Sequence, residues 1–341
     1  MVTALIFAVS VIGITRIKFS HDIVRWYPED SFVRIATETI DREMRGSIAL
    51  EVVLDTGKVN GLYDPDLLQR IDSSVEYVEG LEKGAIFAGK AWSITAILKE
   101  IHQALNENRP ESYKVPDDAR LIPQEFLLFE NSGSDDLEDV TDSQFSKARF
   151  TIKVPFRDAV AYTDFIHAVN EHFRQTFPEV KLTVTGMTSI IFQTMARVIR
   201  SMAKSYTIAL AVITVLMILL IGRLRIGMLS MIPNLFPIFL TLGIMGWFRV
   251  PMDLFTMLVG SISIGLAVDD TIHFMHNFRR YFEQTGDAKQ AVMETLHTAG
   301  RAMLITSCVL SIGFFIFMFA SMNNLFNFGA DRIHHYYGPV V

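Results

Sequence analysis

The chain has little cysteine and, over its second part, little charge. Its one cysteine, Cys308, cannot form an internal disulfide, which excludes a disulfide scaffold and a cysteine-rich zinc module. Residues 1–204 carry 30 acidic and 23 basic side chains, whereas residues 205–341 carry only 7 and 8. No basic patch interleaved with aromatic residues is present, so the sequence predicts no nucleic-acid partner. No Gly-rich phosphate loop ends in Lys-Ser or Lys-Thr, so nothing supports an ATP-driven pump.

Long apolar runs fill the second part of the chain. A helix needs about 20 apolar residues to cross the hydrocarbon core of a bilayer. Four runs come close to that length or exceed it: Tyr206–Ile221, Ile226–Phe248, Met252–Phe274 and Ala302–Ala320. A fifth stretch at residues 1–15 is too short to cross comfortably and suits a truncated first span. The sequence therefore predicts an α-helical membrane bundle of about five spans, with the lipid bilayer as its surroundings.

Lysine and arginine in the short connections predict the orientation of the spans. Two connections together carry Arg223, Arg225, Arg279, Arg280, Lys289 and Arg301, whereas the connection between the third and fourth spans carries Arg249 alone. The first two are therefore expected in the cytoplasm, and the acidic segment 16–204 outside. We expect a multi-pass protein of the inner (plasma) membrane whose large domain is extracellular, or periplasmic in a Gram-negative cell. Within the membrane domain at 205–329, we expect an amphipathic cytoplasmic helix at 279–300.

The external segment has the alternating and helical patterns of an α+β domain. Ser47–Asp55 alternates like a half-buried strand, a helix follows from Pro65 to Leu81, and Gly84–Ala88 suits a short strand. A second unit repeats the order: a strand at Ala148–Phe156, an amphipathic helix at Asp158–Phe177 and a closing strand at Lys181–Thr185. Two such β-α-β units predict a ferredoxin-like layer, with the first strands of the two units in one sheet.

The remaining external residues are expected to form an insertion and a connection to the membrane. The insertion holds a helix at 93–106 and an acidic loop at 135–142, which we interpret as solvated. A helix from about Thr188 continues into the second span without a Gly or Pro to stop it. The patterning also predicts that residues 22–185 fold on their own.

Two adjacent carboxylates interrupt the fourth span. Asp269 and Asp270 lie about 24 Å along a helix that begins near Asp253, slightly past the bilayer centre. Each ionised carboxylate there costs roughly 2.5–3.5 kcal/mol, which few structural roles justify. His273 follows one turn later on a shared face. The pattern predicts a proton relay at these three residues.

Two hydroxyl residues of the fifth span could extend this relay. Thr306 and Ser307 lie at a plausible depth to hydrogen-bond the carboxylates. The competing interpretation is that both hydroxyls bond carbonyls of their own helix, as serine and threonine often do.

The motif GLAVDD at Gly265–Asp270 resembles the Gly-x-x-x-Asp-Asp signature of resistance-nodulation-division (RND) transporters. The resemblance is to the branch of hydrophobe and lipid exporters that includes the mycobacterial large membrane proteins (MMPL) and Patched. MIPNLFPI at Met231–Ile238 resembles the third span, and the order of one span, an external domain and a run of spans also matches. The resemblance implies a secondary transporter driven by the proton-motive force, with no cofactor. It also implies two homologous halves, of which this chain would be one, and AGKAWSITAILKEIHQAL at 88–105 resembles the second half.

The sequence thus predicts a transporter, not an enzyme, that exports a hydrophobic or lipid-like substrate by proton antiport. The polar, aromatic tail at 330–341 indicates a truncated or frame-altered end, and the partners expected are the missing half or a second copy of the chain. Two alternatives stay open. A non-transporting receptor or assembly factor of the sterol-sensing type shares the architecture, and Asp269, His273 and His276 have a spacing that a metal-ion antiporter could use.

Overall fold

The computed structural model describes residues 2–249 and 251–330. Over these residues the helices are α1 (Val2–Ile14), α2 (Phe32–Glu43), α3 (Pro65–Glu79), α4 (Ile94–Leu105), α5 (Leu121–Asn131), α6 (Tyr162–Thr176), α7 (Gly186–Ile221), α8 (Leu224–Leu229), α9 (Ile232–Trp247), α10 (Leu254–Thr285), α11 (Ala288–Thr295), α12 (Arg301–Ile316) and α13 (Asn323–Ala330). The strands are β1 (Ile48–Asp55), β2 (Glu82–Lys83), β3 (Ile86–Phe87), β4 (Lys90–Trp92), β5 (Lys147–Val154) and β6 (Lys181–Thr185). The tail predicted at 330–341 lies, apart from residue 330, outside the described residues.

The chain divides into two compact units. The α/β unit comprises Asp22–Val24 and Glu29–Ala196. The helical unit comprises the described residues of 1–21, 25–28 and 197–341. The division falls inside α7. This helix is continuous from Gly186 to Ile221, which confirms the prediction that one uninterrupted helix leads into the second apolar run.

A four-stranded antiparallel sheet in the order β4-β5-β1-β6 forms the centre of the α/β unit. Its two long strands pair along their whole length, with Val52 opposite Phe150, so the prediction that they share a sheet is confirmed. Alternate residues of β1, including Leu50 and Leu54, are fully buried. The period of two in the sequence therefore marks the face of β1 that packs into the core.

The predicted strand at 84–88 does not join this sheet. Ile86 and Phe87 pair instead with Glu82 and Lys83 in a separate two-stranded hairpin. Gly84, with φ of 61°, lies in the two-residue turn, where a left-handed residue favours tight local pairing. The strand that enters the main sheet is β4, which follows the hairpin and pairs with β5.

Helix α6 confirms the amphipathic helix predicted within 158–177. Along α6, Phe165, Val169 and Phe173 are completely buried against the sheet. The predicted helix at 93–106 is α4, whose first turn is capped by the hydroxyl of Ser93, which accepts from the amide of Thr95 at 3.3 Å.

Asp142, the last residue of the acidic loop at 135–142, is not simply solvated as expected, because its carboxylate forms hydrogen bonds within the protein. One carboxylate oxygen of Asp142 accepts from the amides of Ser146 and Lys147 at 2.7 and 2.8 Å. Burial would raise the pKa of this carboxyl, but hydrogen bonds from Ser146 and Lys147 outweigh it and lower the pKa. Asp142 therefore organises the turn before β5.

Four helical stretches are long and apolar enough to cross a membrane. Among the described residues these are Gly186–Ile221, Leu224–Trp247, Leu254–Thr285 and Ala288–Phe319. They contain the four predicted spans except for one or two residues at some of the ends. The segment predicted as one cytoplasmic helix at 279–300 is divided, because α10 runs on to Thr285 and ends at Gly286, whose φ of 66° closes the helix.

Helix α1 lies against α9 through glycines. A Cβ atom at Gly246 would come within 1.7 Å of the carbonyl oxygen of Gly13, and one at Gly243 within 2.5 Å of the Cα of Ser10. The indole of Trp247 donates to the carbonyl of Val9 at 2.9 Å. Small residues thus let the two backbones approach closely, as in membrane helix pairs. At 13 residues, α1 is shorter than a full span.

Candidate functional site

The candidate site lies on α10, whose two ends are set by its sequence. A capping box begins the helix: the carboxylate of Asp253 accepts from the amide of Thr256 at 2.8 Å, and the hydroxyl of Thr256 accepts from the amide of Asp253 at 2.9 Å. The helix then continues for 32 residues to Thr285. This is about 48 Å of helix, which exceeds the roughly 30 Å of hydrocarbon in a bilayer. The acidic pair is therefore fixed in the middle part of a rigid element.

Gly265, Asp269 and His273 recur every four residues on one side of α10. The Oδ1 atom of Asp269 is 3.6 Å from Nε2 of His273, a distance that suits an ion pair and is too long for a hydrogen bond. The predicted proximity of the imidazole to this carboxylate is thus seen in the structure.

This side of α10 is not covered by the described part of the chain. The side chains of Asp269 and His273 are 67% and 65% exposed. A Cβ atom added to Gly265 would meet no atom within 4 Å. We call Gly265, Asp269 and His273 the uncovered face of α10, because no described residue covers them.

A polar link that was not predicted from the sequence lies beside the acidic pair. The hydroxyl of Thr271 donates to Oδ1 of Asn234 on α9 at 2.6 Å and is also 2.9 Å from the carbonyl of Ala267. Asn234 is only 3% exposed. The available signal was an asparagine inside the apolar run MIPNLFPI, because a polar side chain in a span requires a partner. Asp270, the residue before Thr271, is partly buried.

The hydroxyl of Thr306 is directed to its own helix. It lies 2.9 Å from the carbonyl of Met303 and 3.2 Å from that of Ala302. This is the geometry of the competing interpretation considered above, in which a threonine in a helix satisfies its hydroxyl locally. A relay role for Thr306 stays a prediction, as does one for Ser307, which is exposed on α12.

The spacing of Asp269, His273 and His276 does not form a metal centre in the structure. Over the residues that the structure describes, no group of three or more His, Cys, Asp or Glu side chains is arranged to hold a metal ion. What the site brings together is one carboxylate and one imidazole at a helical spacing, next to a second carboxylate. Such a set can hold and pass a proton.

The fold and the site together define an integral membrane protein with an α/β domain and an acidic pair in one membrane helix. The model of the MMPL family matches residues 94–331, which is more than half of the chain. The chain therefore belongs to the MMPL family, and the resemblance to transporters of the RND type is confirmed.

One relative extends this comparison. A protein of Methanocaldococcus jannaschii, MJ1562, is 27% identical over 165 residues, which are 47% of this chain and 42% of that protein. Its name places it provisionally in the membrane and states no activity. The chain thus spans less than half the length of this relative.

Proposed function

We propose that the chain is one half of an RND-type secondary transporter that exports a hydrophobic or amphiphilic, lipid-like molecule by proton antiport. The observation that carries the proposal is the uncovered face of α10, where Asp269 and His273 project from a membrane helix without cover from the described residues. Membership of the MMPL family supports the transporter class. No bound cofactor is needed, because the proton-motive force supplies the energy.

A bound proton would change the free energy of the site by neutralising a carboxylate that is unfavourable in the hydrocarbon core. An ionised carboxylate near the bilayer centre is unfavourable by roughly 2.5–3.5 kcal/mol, and a bound proton removes most of that cost. One charge that crosses the whole membrane gains roughly 2.3 kcal/mol per 100 mV. A carboxyl that takes a proton outside and releases it inside can therefore drive a conformational cycle of a few kcal/mol.

The same cost argues for a partner at the uncovered face. Lipid cannot hydrogen-bond Asp269 or His273, whereas a second polypeptide with polar groups can. The partner we propose is a homologous half, and a second copy of this chain is the other candidate. Either would place its own groups beside the carboxylate and complete the relay.

We also infer two finer features of the fold. The order β4-β5-β1-β6, with α3 after β1 and α6 after β5, supports a ferredoxin-like layer built from two β-α-β units. The contact of α1 with α9 supports α1 as part of a fifth span.

The proposed location is the inner (plasma) membrane, with the α/β unit on its outer side. The excess of arginine and lysine in two connections supports this orientation. Thiol labelling in intact cells tests it, after Cys308 is replaced by alanine. A cysteine at Ser134 should react with a membrane-impermeant reagent and one at Gln284 should not. The reverse pattern would invert the direction of transport.

Neutral amides at the acidic pair test proton coupling in the complete protein. Asp269→Asn and Asp270→Asn should each abolish proton-dependent export while membrane insertion is kept, because an amide is cheaper to bury but cannot release a proton. His273→Ala should slow export or shift its pH optimum. Export is measured in proteoliposomes with and without an imposed proton gradient.

Glu294→Gln provides the matched control, since Glu294 is an exposed acid on α11 away from the pair. It should transport like the unmodified protein. Normal gradient-driven export by both Asn variants would show that the carboxylates are structural. A complete protein that exports nothing under any gradient would favour the alternative of a sterol-sensing-type receptor.

A further inference from the structure

A second feature of the helical unit is a cavity of about 460 Å³ at the far end of α10. It lies between the last turn of α7, the first residues of α8 and the second half of α10. Arg223, His276, Arg279 and Glu283 form its polar wall. The proposed proton relay uses none of these four residues.

The polar wall has an excess of positive charge. It holds two guanidinium groups and one carboxylate, and an oxygen of that carboxylate, Oε1 of Glu283, is 2.9 Å from Nε of Arg279. This contact occupies one side of the Arg279 guanidinium and, within the described residues, leaves its two terminal nitrogens for another acceptor. Arg223 supplies a second guanidinium at the same cavity. Two arginines in this arrangement suit a phosphate, whose oxygens accept paired hydrogen bonds.

The remaining wall is apolar and continues into the membrane span. It includes Leu220, Ile226 and Phe282, whose side chains are 48%, 37% and 42% exposed. Leu220 belongs to the last turn of α7, so the apolar wall leads directly from the arginines to the lipid-facing surface. A ligand that fits both walls has an anionic head and an apolar tail.

The depth of the cavity agrees with the depth of a lipid headgroup. Arg279 follows Asp269 by ten residues of continuous helix, which is about 15 Å at the helical rise. Half of a hydrocarbon core of roughly 30 Å is also about 15 Å. If Asp269 lies near the bilayer centre, Arg279 lies at the boundary where lipid phosphates are found.

We propose that this cavity binds the phosphate of an anionic phospholipid, with one acyl chain along Leu220 and Phe282. A zwitterionic lipid presents the same phosphate, but its ammonium group meets a wall that is already positive. A free phosphate ion makes none of the apolar contacts. The site therefore selects an anionic phospholipid over both, and it does so independently of any proton relay on α10.

Matched arginines of the chain can distinguish specific binding in the cavity from a general attraction of anionic lipid to basic residues. Arg225 and Arg280 belong to the same two connections as Arg223 and Arg279, but they do not line the cavity. All four should contribute alike if a basic membrane surface merely attracts anionic lipid. Only Arg223 and Arg279 should matter if the cavity is the site.

Native mass spectrometry of the full chain released from detergent tests the proposal. The probes are phosphatidylglycerol and phosphatidylcholine with the same acyl chains, offered together. We expect one phosphatidylglycerol retained per chain, with an affinity at least about tenfold above that of phosphatidylcholine. Arg223→Gln and Arg279→Gln should each weaken this retention by about tenfold, since each removes a charged hydrogen bond. Arg225→Gln and Arg280→Gln should leave it unchanged.

Three results would overturn the site. An unmodified chain without preference for phosphatidylglycerol would do so by itself, whatever the variants show. Equal losses in all four variants would assign the binding to the charge of the connections. Displacement of the lipid by millimolar inorganic phosphate would mean that the cavity recognises a free phosphate ion. Circular dichroism of each variant verifies its helix content, and Arg223→Lys, which keeps the charge, should restore part of the retention if Arg223→Gln does not fold.

Discussion

At the scale of single residues, His172 shows how packing sets the protonation of a side chain. Its ring stacks on that of Tyr77 with a centroid distance of 3.8 Å, and its Nε2 atom is 3.2 Å from the hydroxyl of Ser74. Burial lowers the pKa of His172 below its usual value. The folded α/β unit therefore keeps the imidazole neutral down to a lower pH than the unfolded chain does.

This difference predicts a pH dependence of stability. The unfolded chain binds a proton at His172 as the pH falls through about 6.5, while the folded chain does so only at lower pH. The free energy of unfolding should therefore be highest above that pH, as far as His172 contributes, and should fall as the pH falls below it. Pulse proteolysis of the whole chain across a urea series, at about pH 7.5 and about pH 5.5, measures the decline.

His172→Phe supplies the control for this prediction. Phenylalanine can keep the stacking contact but does not titrate, so the variant should lose less stability on acidification than the unmodified chain. An equal decline in both would assign the effect to other titrating groups.

At the scale of elements, the pairing of α1 with α9 depends on the absence of side chains. The carbonyl of Gly13 occupies the place that a Cβ atom of Gly246 would take. Glycine is a poor helix former, with a cost of about 1 kcal/mol relative to alanine. Close backbone contact between the two helices offsets that cost here.

Gly246→Ala should therefore destabilise the helical unit, although alanine is the better helix former. A Cβ atom 1.7 Å from a carbonyl oxygen forces the helices apart, and overpacking of this kind costs typically about 1–3 kcal/mol. The expected result is a lower midpoint of thermal unfolding in detergent, followed by circular dichroism. Separation of the helices should also weaken the hydrogen bond from Trp247 to Val9 and change the fluorescence of Trp247.

Gly313 is the matched position, because a Cβ atom there would meet no atom within 4 Å. Gly313→Ala should leave the midpoint unchanged or raise it, as helix propensity alone predicts. If the two alanine variants behaved alike, the α1–α9 contact would not contribute to stability.

At the scale of the whole molecule, the α/β unit has a hydrophobic core of its own. Phe192 completes it, although it lies on α7, beyond the last strand. Its ring stacks on Tyr162 with a centroid distance of 4.2 Å, and the side chain is only 2% exposed. The segment 22–185 predicted from the sequence ends before this residue.

We therefore expect residues 22–196 to fold as a soluble unit and to be more stable than residues 22–185. Loss of a buried phenylalanine costs typically about 3–5 kcal/mol. Urea unfolding of the two segments, followed by circular dichroism, measures the difference.

Two point variants of the longer segment show whether Phe192 is the cause. Phe192→Ala should reproduce most of the loss, whereas Phe32→Ala should have little effect, because Phe32 is 84% exposed. Equal stability of the two segments would show that Phe192 does not stabilise the core. If neither segment folded, the α/β unit would not be an independent folding unit.

The local patterns of the sequence determined the elements of this protein. Runs of about 20 apolar residues marked the four membrane stretches, since a helix satisfies all its backbone hydrogen bonds within one segment of chain. The alternation in β1 and the stripe of Phe165, Val169 and Phe173 marked core faces, because periods of 2.0 and 3.6 follow from backbone geometry. The acidic pair also stood out within its own helix.

Long-range contacts decided what the elements do together. The tertiary structure placed β4 rather than the 84–88 strand in the main sheet, paired Thr271 with Asn234, and brought Phe192 into the core. It also left Asp269 and His273 on a face that the described part of the chain does not cover. Each outcome depends on atoms far apart in sequence, and the free energy of such contacts comes from close packing and paired polar groups, which no local period encodes.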